Sequence, residues 1–327
     1  MHAIRQYEFG PAENLRYEQI DDPLPGPGQV RVVVEATGVH LVDTAIRRGE
    51  GGRYFPLPKL PMTPGREVAG IVEAVGPGAD ESWLGRRVVA HLGQANGGYA
   101  ELAAVPVEAL HPVPDTLAPD AAVAAIGTGR TAVAILEVAA LREDDVVLVT
   151  AAAGGLGGLF VQAGLGAGAT VVALAGGPAK VDRVRALGAT AAVDYLVPGW
   201  PERVLEALDR REPTVVLDGV GGSLGREAME LLGVGGRLVL FGWASGEPTE
   251  VTTADLVARG LTATWAIGGR ILNRPGGLRP LEERALADAA AGRLTPQVGQ
   301  WFPLSHAAAA HTAIENRETV GKTVLVP

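Results

Sequence analysis

The chain has 327 residues, a formal net charge of -9 and no cysteine. The missing cysteines exclude disulfides, thiolate-held zinc, iron–sulfur clusters and thiol catalysis, and the acidic balance without a Lys/Arg run argues against nucleic acid or an anionic membrane surface as a partner. Hydrophobic residues at 47% against 20% charged supply enough buried core for two ordinary domains.

The N-terminal "MHAIRQYEFG" carries no apolar signal core, so a cytoplasmic protein is expected. Up to about Pro114, short apolar runs alternate with turn chemistry. Gln29–Val39, Glu67–Gly76, Arg86–His91 and Gly98–Pro106 read as strands of a barrel-like β domain. Leu117–Ala140 reads as helical, broken at Gly127–Gly129. From Asp145 apolar strands alternate with helical segments: Val146–Val149, Thr170–Leu174, Ala191–Val193, Val215–Asp218, Arg237–Phe241 and Leu261–Trp265. This rhythm predicts an α/β domain, a doubly wound parallel sheet with helices on both faces. Helices at Leu281–Ala291 and Ser305–Asn316 and a last strand, "KTVLVP", complete the chain and point back to the first domain.

The stretch Leu148–Gly168, "LVTAAAGGLGGLFVQAGLGAG", belongs to an uncharged run from Val146 to about Gly177 that is long enough to cross a bilayer. Gly154, Gly155, Gly157 and Gly158 would interrupt such a helix. A strand, a Gly-rich turn and a helix fit better, with small residues admitting a pyrophosphate to the helix N-terminus. The A-x-x-G-x-x-G spacing alone is a weak motif, but its place at the start of a parallel sheet strengthens it. An NAD-preferring loop carries an acid at the tip of the next strand, whereas this tip, "ALAGGPAK", offers only Lys180. A cation there favours NADP(H), the bland alternative being a solvated first-turn lysine.

The motifs "EATGVHLVDTAIRRG" (Glu35–Gly49), "PMTPGREVAGIVEAVG" (Pro61–Gly76), "GGYAEL", "GTGRTAVAIL", "AAAGGLGGLFVQAG", "GGRLVLFGWASG" and "NRETVGKTVLVP" run through nearly the whole chain. Together they resemble a zinc-free quinone oxidoreductase of the medium-chain dehydrogenase/reductase superfamily. The resemblance implies a GroES-like β-barrel catalytic domain at residues 1–120, a Rossmann domain at 121–268 and a C-terminal return to the catalytic domain at 269–327. It also implies a homodimer joined through the last Rossmann strand. Thr131 is implied near the nicotinamide, and Gly154, Gly155, Leu156 and Gly157 at the pyrophosphate. Lys180 and Tyr195 are implied at the adenosine phosphate, Gly242 and Trp243 at the sheet's carboxyl edge, and Arg317 facing the cofactor.

In the zinc alcohol dehydrogenases that also resemble this chain, the metal ligands would fall at His40, at Arg66 and near Gly127. One possible ligand of three and a guanidinium make no zinc site. Without a Lewis acid, hydride transfer from NADPH to a quinone is the expected reaction. Reduction of an α,β-unsaturated carbonyl, or NADPH binding without turnover, are the alternatives. His40 stands where the family usually has Asn and is expected to donate a hydrogen bond or a proton to the acceptor, with Tyr54 as a second catalytic candidate. Ala45 replaces a usual Tyr. Asp43 and Glu67 are expected to be supporting carboxylates that pair with Arg66.

Overall fold

Alternating apolar side chains build the first sheet of a computed structural model that describes residues 1–51 and 56–327. β1 (His2–Gln6) and β2 (Leu15–Gln19) form a separate two-stranded sheet, and the strands here are β3 (Gln29–Val39), β4 (Glu67–Val75), β5 (Arg87–His91), β6 (Leu102–Pro106) and β7 (Leu110–Pro112), with helix α1 (Leu41–Arg48) after β3. Val30, Val32 and Val34 of β3 point inward onto Val68, Val72, Val88 and Val105. Helix α2 (Pro119–Ala124) then covers Ala36, Ala69 and Val89 with Ala122 and Val123.

The next segment is a parallel sheet with helices between its strands. In chain order it comprises α3 (Arg130–Ala139), β8 (Val146–Val149), α4 (Gly155–Gly166), β9 (Thr170–Ala175), α5 (Pro178–Ala186), β10 (Ala191–Asp194), α6 (Trp200–Ala207), β11 (Val215–Asp218), α7 (Gly222–Glu230), β12 (Arg237–Leu240), α8 (Thr253–Arg259), β13 (Thr262–Trp265), α9 (Gly269–Leu272) and α10 (Arg279–Ala290). The strands lie in the order β10-β9-β8-β11-β12-β13, and every pairing is parallel. This is the doubly wound order, and the chain reverses direction across the sheet between β8 and β11. All residues of β8 and β11 are buried, which explains apolar runs without alternation. The uncharged stretch Val146–Gly177 is therefore a buried β8–α4–β9 crossover.

The chain ends with β14 (Val298–Pro303), α11 (Ala307–Glu315) and β15 (Lys322–Val326). β15 pairs antiparallel with β3, giving the order β14-β15-β3-β4-β5-β7. The chain divides into two units, Met1–Gly129 with Glu282–Pro327, and Arg130–Leu281.

Three sequence expectations shift, and some elements carried no signal. The expected break at Gly127–Gly129 is a π-helical turn, Ala125–Gly129, that joins α2 to α3 without interruption. The divisions fall at Gly129 and Leu281 rather than 120 and 268. α2 packs on the first sheet, and the segment after β13 is tied back by Arg274, 2.9 Å from Glu137 of α3. The strand expected from Gly98 begins at Leu102. The β1–β2 pair and β14 carried no clear signal, being short, with β1 burying the polar Gln6 beside Ala3 and Ile4, β2 mostly exposed and β14 half-exposed.

His311 of α11 is fully buried, with Nε2 3.2 Å from the Tyr99 hydroxyl. Burial pushes its imidazole down to about 4, from an ordinary 6.5. The unfolded chain thus binds the extra proton between those values, and stability falls as pH falls through that window. His311→Gln should flatten the acid side of the stability profile, read as the urea midpoint at successive pH values. An unchanged slope would show that His311 does not carry the effect.

Candidate active site

Sheet topology brings three polar side chains to one edge of the first unit. β3 ends at Val39, just before His40. β4 begins at Glu67 and β15 at Lys322, and both strands run antiparallel to β3 on either side of it. Lys322 Nζ donates to Glu67 Oε2 at 2.9 Å and lies 2.8 Å from His40 Nε2. His40 Nε2 is also 2.6 Å from Glu67 Oε1. The glutamate and lysine side chains are 0% and 4% exposed, whereas His40 is 20% exposed, so the imidazole is the cluster's outward member.

Glu67 has almost no room. A Cβ at Gly127 would lie 1.5 Å from Oε1, and one at Gly38 would lie 2.1 Å from Oε2. The π turn thus brings bare backbone against the carboxylate. Burial alone would raise the Glu67 carboxyl, but His40 and Lys322 outweigh it and hold it well below the ordinary carboxylate range. Burial lowers both the His40 imidazole and the Lys322 ammonium, against the opposing pull of Glu67.

A second layer fixes His40. It caps α1, and its backbone N–H donates to Asp43 Oδ2 at 2.8 Å, while Arg66 Nε donates to Asp43 Oδ1 at 3.0 Å. Asp43 therefore pairs with Arg66 as expected, but Glu67 does not: it turns to Lys322 and His40. Arg66 also lines a cavity of about 70 Å³ with Ile46, Leu57, Pro58, Gln94 and Asn96. Tyr54 lies outside the described residues.

In the second unit, the Gly-rich loop leaves β8 and enters α4, whose N-cap Gly154 offers no capping side chain. The first-turn amides of Gly155, Leu156 and Gly157 point where an anion is favoured. Ala151 adopts a left-handed φ of 48°, and a Cβ at Gly157 would come within 2.4 Å of the Ala151 carbonyl oxygen. The loop can fold this tightly only without that Cβ.

The tip of β9 turns through Gly176 and Gly177 into α5, which carries the half-buried Lys180. Tyr195, just past β10, lays its hydroxyl over Gly176, where a Cβ would be 2.7 Å away. Sequence reading missed Asp194 here, since it comes from β10 rather than β9. Its carboxylate accepts from the Gly177 and Leu196 amides, both at 2.9 Å. Gly242 and Trp243 follow β12, and Trp243 stacks on Trp265 at 5.1 Å. Thr131 sits in the first turn of α3. Arg317 follows α11 in the other unit, exposed and with φ of 58°.

Asp218 also escaped sequence reading. It ends β11 fully buried, beside the point where the sheet reverses. Its oxygens accept from Thr150 Oγ1 at 2.9 Å, from Thr249 Oγ1 at 2.5 Å and from the Val220 amide at 2.9 Å. The available signal was a polar residue closing each apolar run, "VVLVT" and "VVLD".

Comparison with known proteins agrees with this architecture. A profile described as "Alcohol dehydrogenase GroES-like domain" matches residues 26–115, and one described as "Zinc-binding dehydrogenase" matches 155–282. A Pseudomonas aeruginosa quinone oxidoreductase is 33% identical over 98% of this chain and 97% of its own. A Burkholderia 2-haloacrylate reductase is 32% identical over 100% and 99%. The crystal structure of Escherichia coli quinone oxidoreductase complexed with NADPH matches all of both chains at 27% identity, with a TM-score of 0.87. The fold and these matches define an oxidoreductase of the two-domain dehydrogenase type. The chain belongs to the medium-chain dehydrogenase/reductase superfamily, in its quinone oxidoreductase-like group.

Zinc, which the second profile's description implies, does not fit the residues present. Position 66 is an arginine, whose guanidinium has no lone pair to give a metal, and no three His, Asp or Glu among the described residues are placed to hold one. The point from which a cation would reach both His40 and Glu67 is filled by the Lys322 ammonium.

Gly157→Ala should weaken NADPH binding about tenfold or more, read by cofactor fluorescence titration, because the loop must open to admit the methyl. Gly166→Ala, at a position with nothing within 4 Å, is the matched control and should leave affinity unchanged.

Proposed function

We propose that this protein is a metal-independent, NADPH-dependent reductase that delivers hydride to a quinone. The observation that carries the reading is His40, a partly exposed hydrogen-bonding ring backed by a sealed Lys322–Glu67 pair. NADPH, when bound, supplies the hydride. The α4 N-terminus would hold its pyrophosphate, with Lys180 and Tyr195 at the 2′-phosphate, and the NADPH-bound relative supports NADPH as the cofactor. The β9 tip itself brings no carboxylate to repel that phosphate, and Asp194 is engaged by backbone amides.

The chain's own groups then act on the acceptor. His40 donates to the carbonyl oxygen as negative charge develops there, and its low exposure strengthens that hydrogen bond. A quinone suits this arrangement because it takes up hydride without a Lewis acid. The open outer strand β13 is the expected seam of a homodimer.

A second reading is reduction of an activated C=C bond. Arg66 on the cavity wall would favour a carboxylate-bearing acceptor, and the 2-haloacrylate reductase relative supports it.

The test is oxidation of NADPH and NADH with 1,4-benzoquinone, an enone and 2-chloroacrylate in parallel. Quinone turnover with preference for NADPH is expected, and Lys180→Ala should erode that preference about tenfold. Turnover of 2-chloroacrylate alone would favour the second reading, and NADPH binding without turnover would sink both. His40→Ala should lower kcat about 10²-fold while the NADPH Kd stays unchanged. Equal kcat would remove His40 from the mechanism.

A further inference from the structure

β9 and β10 end level with each other. Ala175 faces Asp194 in the parallel register, and the ladder continues for one more bond, from the Tyr195 amide to the Ala175 carbonyl at 3.2 Å. The two segments then turn away, one into α5 and the other toward α6. The first of these turns is made by Gly176 and Gly177, which bring no side chain to hold it. What holds it comes from the neighbouring strand. One oxygen of Asp194, Oδ1, accepts from the Gly177 amide and from the Leu196 amide, both at 2.9 Å. The Leu196 bond closes an Asx turn within the segment of Asp194 itself. The Gly177 bond crosses to the other segment, so a single carboxylate oxygen clips the two turns together.

The clip reaches two residues singled out for their chemistry. Gly177 opens α5: its carbonyl accepts from the Val181 amide at 3.1 Å, and Lys180 lies within that first turn. Tyr195 sits between the two ends of the Asx turn. Its ring packs on the core of the parallel sheet, and its hydroxyl lies where a Cβ on Gly176 would be 2.7 Å away. Lys180 and Tyr195 therefore belong to different segments, and Asp194 fixes the start of one and the turn that carries the other. A carboxylate has the wrong sign to touch a phosphate, and the Oδ1 of Asp194 is already taken by two N–H groups. Its part is to hold the backbone.

We propose that Asp194 is a positioning residue for the 2′-phosphate of NADPH, setting the spacing of Lys180 and Tyr195 and with it the choice between NADPH and NADH. The proposal rests on the reading of Lys180 and Tyr195 as holders of that phosphate. The role needs an acceptor oxygen at the place of Oδ1 and does not need its charge. An acid at the tip of β9 would instead accept from a ribose hydroxyl and select NAD(H). The acid here, one strand further on, is turned to backbone amides and serves the opposite choice.

The experiment is calorimetric titration of the full-length protein with adenosine 2′,5′-bisphosphate and with adenosine 5′-monophosphate, which differ only in the 2′-phosphate and need no turnover. Wild type should favour the bisphosphate about tenfold or more. Asp194→Ala should cut that ratio about tenfold, by weakening the bisphosphate and not the monophosphate. Asp194→Asn keeps the acceptor oxygen and should keep the ratio or raise it. Asp194→Ser, too short to span to Gly177, should behave as the alanine variant and replaces it if that variant does not fold. Lys180→Ala, run in parallel, tests the underlying reading. A wild type without preference for the bisphosphate, or a preference that survives Lys180→Ala, removes that reading and the proposal with it. A ratio lost in Lys180→Ala but kept in Asp194→Ala or Asp194→Ser overturns the proposal alone. So does equal weakening of both nucleotides in Asp194→Ala, the mark of a general structural role, and so does a loss in Asp194→Asn as large as in Asp194→Ala.

Discussion

A carboxylate buried without space around it governs the first unit. Glu67 is enclosed by Gly38 on one side and Gly127 on the other, and neither position tolerates a Cβ. Its charge survives burial because Lys322 is within 2.9 Å. Such a pair gains little net stability over an apolar packing, since both groups lose their hydration. What it does achieve is register. The ends of β3, β4 and β15 must meet at one point, and the α2–α3 connection must pass as a π turn to bring bare backbone to that point. His40, next in line after β3, is then held by the same pair.

The second unit solves a different problem by different means. Its Gly-rich loop gathers backbone amides by shape rather than by side-chain charge. The strained Ala151, the missing side chain at Gly157 and the uncapped start of α4 make a concave arc of amides. Past the next strand tip, α5 adds the charged Lys180. The first unit thus carries a cluster of buried charge, and the second a cradle of backbone amides.

The Rossmann strands were legible in the sequence almost residue by residue, because buried parallel strands are unbroken apolar runs with glycine between them. Val146–Val149 and Val215–Asp218 are examples. The π turn was misread because glycines at 127 and 129 signal a break when only local propensity is weighed, and the reason for Gly127 lies sixty residues away in Glu67. The site was half visible. His40 stood out as a chemical residue in a family motif, but its partner Lys322 was hidden as the first letter of an apolar strand, "KTVLV". Nothing local distinguishes it from a solvated strand-end lysine. Only the pairing of β15 with β3 reveals that it points inward. Asp218 was hidden for the same reason, its partners Thr150 and Thr249 being remote in the chain.

The Asp218 cluster bears on how the carboxyl edge of the parallel sheet behaves over time. Two hydroxyls and the amides of the β11 turn converge on one carboxylate, tying the tips of β8 and β11 together where the sheet reverses direction. These bonds form when the chain folds and ask nothing of a ligand. The conformational entropy of shaping the rim is thus lost once, during folding, instead of at every binding event. A ligand docking on that rim would meet a surface already set, so its arrival and departure would not wait on the backbone there.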